Sequence, residues 1–126
     1  MAGPTPSGSA PRAWDSAAQV LARVRAIADD EATVKEVVGL FLDGATESLR
    51  DLRASEGAAD ASALARSAHK LKGSARNVGA EALAGIAERL EERASARGPE
   101  NLAQLLSAAD AELARLREAL AEPMAR

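Results

Sequence analysis

The chain has 126 residues, 47% hydrophobic, 28% charged and only 2% aromatic, with a formal net charge of -3 and no cysteine. That length suits one domain with one core. The composition excludes disulfide and thiolate chemistry, gives no reason to expect nucleic acid as the main partner, and offers no apolar run long enough to span a membrane.

Met1 to Pro11 is rich in Gly, Pro and Ser and reads as a disordered lead-in. It lacks the basic-then-apolar pattern of a secretion signal. A first helix is expected from about Asp15 to Ala28, with Val20, Leu21, Val24, Ile27 and Ala28 as its apolar stripe. Asp29-Asp30 can stop it and cap the next helix, and Thr33 with Glu36 offers a capping box as a second possible start. The second helix is expected over about Glu31 to Ser55. Val34, Val38, Phe41, Ala45, Leu49 and Leu52 recur every three or four residues there. Gly39 and Gly44 lower its propensity by up to about 1 kcal/mol each. Gly57 is the expected stop and Asp60 the next cap.

A third helix is expected over Ala61 to Asn77, with a tight turn at Gly79. The fourth covers about Ala80 to Ala96, with Leu83, Ile86, Ala87 and Leu90 inward. Gly98-Pro99 punctuates the chain, with proline placed for a first helical turn. The fifth helix is expected over about Glu100 to Ala121, with a stripe of Leu102, Leu105, Leu106, Ala109, Leu113, Leu116 and Leu120, and Pro123 ends it. Short connections between long amphipathic helices predict an all-α fold: an antiparallel four-helix bundle with an additional N-terminal capping helix. The division is 1–11 lead-in, 12–122 domain and 123–126 C-terminal tail. No second domain or short repeat is visible.

The chain contains a single histidine, His69, on the third helix. Leu64, Ala68, Leu71, Ala75 and Val78 form that helix's apolar stripe, and at about 100° per residue His69 lies roughly 140° from its centre. The ring therefore points outward. Lys72 falls on the flank between core and histidine, Arg76 falls close to the histidine's own direction, and Gly73 is nearly opposite the stripe. Ala65 and Gly73, four residues to either side, leave space around the ring. Gly73 costs about 1 kcal/mol in a helix relative to alanine. Either another surface approaches there, or the glycine merely loosens an alanine-rich helix.

Lys72 and Arg76 put positive charge beside a group that phosphorylation would make anionic, or they attract an acidic pocket on a partner. Ordinary surface charge is the simpler account of Arg66 and Lys70. An imidazole with an ordinary pKa of about 6.5 offers a neutral nucleophilic nitrogen near neutral pH. No second histidine, cysteine or acidic residue accompanies it at three or four residues' distance. This argues against a metal site or a hydrolytic triad. A lone surface histidine is usually incidental, and position alone does not assign it a function.

The run Ala68-His69-Lys70-Leu71-Lys72-Gly73-Ser74, then Asn77-Val78-Gly79-Ala80, then Leu83, Leu90 and Glu91, resembles the signature of histidine-containing phosphotransfer (HPt) domains. Phe41 resembles the phenylalanine of that family's preceding helix. The likeness extends over about Trp14 to Leu120. It implies that His69 accepts and donates a phosphoryl group, that Lys72 lies beside that group, and that Gly73 admits a response-regulator receiver domain. It further implies that Ser74 and Asn77 support the site or the helix end, and that Gly79 is the turn glycine. Ala65, Arg66, Arg76 and Phe41 complete the expected docking and support set.

The implied partners are receiver domains and a hybrid histidine kinase, with no nucleic acid and no membrane. The protein is expected to be a cytoplasmic monomer and a phosphotransfer protein without ATP binding or autokinase activity; no glycine-rich nucleotide loop is present. It is expected to need no cofactor or metal of its own, because the Mg2+ belongs to the partner receiver. The Met1 start and short polar tail favour a free-standing protein, although a domain cut from a larger hybrid or chemotaxis kinase would look similar. The competing reading is a non-phosphorylated helical adaptor or inhibitor docking on a histidine kinase or response regulator. A purely structural bundle would explain the stripes but not the motif.

Overall fold

The computed structural model describes residues 13–96 and 101–125, which form five helices: α1 (Ala13–Ile27), α2 (Glu31–Gly57), α3 (Ala61–Asn77), α4 (Glu81–Ala96) and α5 (Leu102–Ala125). The expected lead-in and the Gly98-Pro99 punctuation lie outside the described residues. Contacts between α2 and α3, α3 and α4, α4 and α5, and α5 and α2 close a four-helix bundle. Three-residue connections force α2, α3 and α4 to run antiparallel. The first helix packs on α2 and α5 and caps one end.

The expected stripes of the bundle helices form the core. Val38, Ala45, Leu52, Ala68, Leu71, Leu83, Ala87, Leu90, Leu106 and Leu116 are all fully buried. Alanines at these contacts let neighbouring helices approach closely. Ile86 and Leu102 only pack against the core from its edge. On α1, Val20 and Val24 are buried, whereas Ile27, the last helical residue, is 69% exposed and leaves the expected stripe. No helix among the described residues is long and apolar enough to cross a membrane.

Local chemistry explains the helix ends. Asp30 caps α2, its Oδ1 accepting the Thr33 N–H at 2.8 Å. Thr33 is therefore inside the helix, and its capping box is not used. The Asp30 carboxyl is held below its usual range chiefly by that backbone N–H. Asp60 caps α3 in the same way, accepting the Ala63 N–H at 3.0 Å. At the other end of α2 the helix stops at the expected glycine, but the left-handed position falls elsewhere. Gly57 is the last helical residue, and Ala59 adopts the left-handed conformation at φ 55°. Asn101 begins α5 by accepting the Ala103 N–H at 2.8 Å. That helix runs through Pro123 to Ala125 rather than stopping before the proline. So close to the terminus the ring interrupts little of the hydrogen-bond ladder.

Gly79, at φ +81°, turns the chain from α3 into α4. A Cβ there would lie 3.1 Å from Arg23 Cβ and 3.2 Å from the Gln19 carbonyl oxygen. The turn glycine is therefore also the seat of the capping helix.

Candidate functional site

His69 stands on the outer face of α3, with 69% of its side chain exposed. Its neighbours Ala68 and Leu71 are fully buried. The helical period thus anchors the segment while leaving the ring outside. The nearest charged partner comes from another helix. Glu91, on α4, places Oε2 at 2.9 Å from His69 Nδ1 and Oε1 at 2.6 Å from Lys72 Nζ. One carboxylate therefore bridges the imidazole and the lysine. The hydrogen bond from Lys72 is the main reason Glu91 is held below the usual carboxylate range. Burial opposes this, and the bond from His69 and the two nearby charges add to it.

The protonation pattern follows. An ionised carboxylate only accepts hydrogen bonds, so Nδ1 must carry the proton. In the neutral ring, the lone pair is then on Nε2. That nitrogen has no hydrogen-bond partner among the described residues. The arrangement is an exposed nucleophile with a fixed tautomer, and an ammonium group is held one carboxylate away.

Lys72 is mostly buried, with 18% of its side chain exposed, on the flank expected for it. Arg76 donates to Glu88 Oε1 at 2.7 Å, making a second tie between α3 and α4. Arg66 is exposed and donates to Ser62 Oγ at 2.9 Å. Gly73 is exposed, and no atom would lie within 4 Å of a Cβ built there. Packing within the chain therefore does not require glycine at that position. Ala65 is half-buried. Ser74 is half-buried, with its hydroxyl donating to the Leu71 carbonyl at 3.1 Å. Asn77 is the exposed last residue of α3, whose end is closed by backbone bonds such as Ala80 N–H to the Ala75 carbonyl at 2.8 Å. Phe41 is buried in the core, so any support it lends comes from beneath the surface.

Glu91 is the residue that local sequence reasoning does not place at the ring. A search for an acidic partner at three or four positions from His69 finds none, because the partner is 22 residues away on the neighbouring helix. Its only signal is the Leu90-Glu91 pair within the wider motif. Among the described residues, no group of three or more His, Cys, Asp or Glu side chains is placed to hold a metal ion.

Residues 36–122 match the Hpt domain family. The chain belongs to that family. The Hpt domain here is also similar to the crystal structure of histidine-containing phosphotransfer protein B (HptB) from Pseudomonas aeruginosa PAO1. Identity is 32%, the TM-score is 0.76, and the alignment covers 85% of this chain and 91% of that one. No curated protein sequence matches. As an Hpt domain, the protein is a His-to-Asp phosphorelay intermediate, acting in phosphotransfer without kinase or ATP-binding activity.

Proposed function

We propose that His69 carries the phosphoryl group, with Nε2 as the reacting atom. The observation that carries this reading is the exposed ring whose Nδ1 is tied to Glu91 at 2.9 Å while Nε2 has no partner among the described residues. In the forward step, the Nε2 lone pair attacks the phosphorus of a receiver aspartyl phosphate. A P–N bond forms, the acyl phosphate P–O bond breaks, and the aspartate carboxylate leaves. The ring becomes cationic, and Glu91 on the Nδ1–H side stabilises that charge. Donation to a second receiver aspartate reverses these bonds. A Mg2+ ion in the partner would neutralise charge on the group in flight.

Lys72 is tied to the same Glu91 that holds Nδ1 and supports the phosphorylated ring through that shared carboxylate. The partners are response-regulator receiver domains, with a hybrid histidine kinase upstream, and the protein works as a monomer. Docking uses the outer face of α3, where Gly73 and Ala65 leave room beside the ring. Arg66 and Arg76 border this face, while Phe41, Ser74, Asn77 and Gly79 hold its scaffold. The phosphotransfer unit spans residues 12–122.

The test is a phosphotransfer profile against every receiver domain of the source organism. Wild-type protein should acquire an acid-labile, base-stable label, and His69→Gln should acquire none. A wild type that no receiver labels would end this reading.

A further inference from the structure

Four cations surround His69 on α3, and the structure divides them into two kinds. Lys72 and Arg76 lie toward α4, where Glu91 and Glu88 neutralise them at 2.6 and 2.7 Å. Their charges are already engaged before any partner arrives. Arg66 and Lys70 are exposed and have no such counter-ion among the described residues. Arg66 donates only to the neutral Ser62 hydroxyl, and Lys70 pairs with no carboxylate among the described residues. The neighbouring α2 carries exposed Glu47 and Asp51, but neither pairs with Arg66 or Lys70.

On the helical wheel, Arg66 lies behind the ring, roughly opposite the apolar stripe, and Lys70 lies on the side away from Lys72. The unneutralised positive charge beside His69 is therefore on the edge of α3 turned away from α4.

Building on the phosphotransfer reading above, we propose that Arg66 and Lys70, rather than Lys72 and Arg76, form the electrostatic docking edge for the acidic phosphoacceptor rim of a receiver domain. The argument is charge complementarity. A receiver's phosphoacceptor is itself a carboxylate, a hard divalent cation beside it calls for oxygen ligands such as carboxylates, and its phosphorylated form adds a dianion. Exposed rim charges mainly accelerate encounter and add little to the step within the complex. A cation already bound to its own carboxylate attracts an incoming anion far less. Arg66 and Lys70 are the cations left to bring the partner in.

The experiment uses the full chain and a receiver that labels the wild type. Transfer is measured at limiting and at saturating receiver, at low and at high salt, for Arg66→Glu, Lys70→Glu and Arg50→Glu. Arg50 is exposed on α2, one turn beyond Thr46, whose hydroxyl meets Arg117 of α5. It serves as a control with the same change in net charge on another face. Arg66→Glu and Lys70→Glu should each lower the second-order rate about tenfold at low salt. The deficit should shrink at high salt, and the saturated rate should stay within about twofold of wild type. Phosphoramidate, a small donor that needs no docking surface, should label all three variants like the wild type.

Equal losses in Arg50→Glu, a loss that salt does not relieve, or unchanged rates in Arg66→Glu and Lys70→Glu would overturn the docking edge while leaving phosphotransfer by His69 intact. A wild type labelled by no receiver would instead remove the reading on which the edge rests.

Discussion

At the residue scale, the controlling feature is a carboxylate with two duties. Glu91 accepts from His69 through one oxygen and from Lys72 through the other. Replacing it with glutamine keeps the shape but removes the charge that fixes the Nδ1–H tautomer. We expect Glu91→Gln to slow transfer about tenfold or more, the scale of one lost charge-assisted hydrogen bond of roughly 1.5–3 kcal/mol. A merely structural role would leave the ring's tautomer alone. Imidazole 15N shifts should therefore move toward the Nε2–H form in the variant, and identical shifts in both proteins would sink this account.

The pH dependence has a definite sign. Because Glu91 is depressed in the folded protein, its contribution to stability is complete above the ordinary glutamate pKa of about 4.3 and is lost as pH falls through the depressed value. Denaturation midpoints in this acid range should thus fall less steeply with pH in Glu91→Gln than in wild type. The outward direction of His69 and the flanking place of Lys72 are legible in sequence because both follow from rotation about one helix. The position of Glu91 is not, because it depends on how α4 is rotated against α3, and packing decides that.

At the element scale, the two interhelical corners use opposite residues. The α3–α4 corner places Gly79 in the left-handed region, where only glycine avoids strain. The α2–α3 corner places Ala59 in that region although Gly57 is two residues away. Ala59→Gly should stabilise the protein by about 1 kcal/mol, the usual cost of a Cβ in that conformation. Gly79→Ala should destabilise it by about 1–2 kcal/mol from conformation alone, with crowding against Arg23 and Gln19 added. Urea denaturation of both variants checks the pair, and changes of the same sign would contradict it.

These corners also show where sequence reading fails. A glycine near a helix end is a good stop signal, but α2 runs on past Ser55, and its register moves the left-handed position to Ala59. Pro123 is a similar case: proline marks the limit of a helix only to within about a turn, since a final turn has few bonds left to lose.

At the scale of the whole molecule, α3 separates stability from recognition by face. Leu71 is fully buried and Gly73 faces open space. Leu71→Ala should cost about 2–5 kcal/mol in stability, with transfer by the remaining folded protein preserved. Gly73→Arg should raise stability by about 0.5–1 kcal/mol, because it removes a glycine from an exposed helix interior, yet reduce transfer from receivers. Melting curves alongside rates separate the two, and equal transfer by Gly73→Arg would remove the docking role of that glycine.

The architecture was legible because every bundle helix carries a continuous apolar stripe. Glu112 was not. It is buried on α5, with one oxygen on Arg115 at 3.0 Å and the other without a partner among the described residues, and no periodic pattern announces a carboxylate on the margin of a stripe.

The bridge between α3 and α4 has a further meaning for how such a chain can change over time. Because His69 and Lys72 share one counter-ion, substitutions at 69, 72 and 91 cannot add independently, and each single loss leaves a charge or a donor stranded on the others. The three positions form one mutational unit, so drift away from phosphotransfer should show itself as paired replacement of Lys72 and Glu91 rather than loss of either alone.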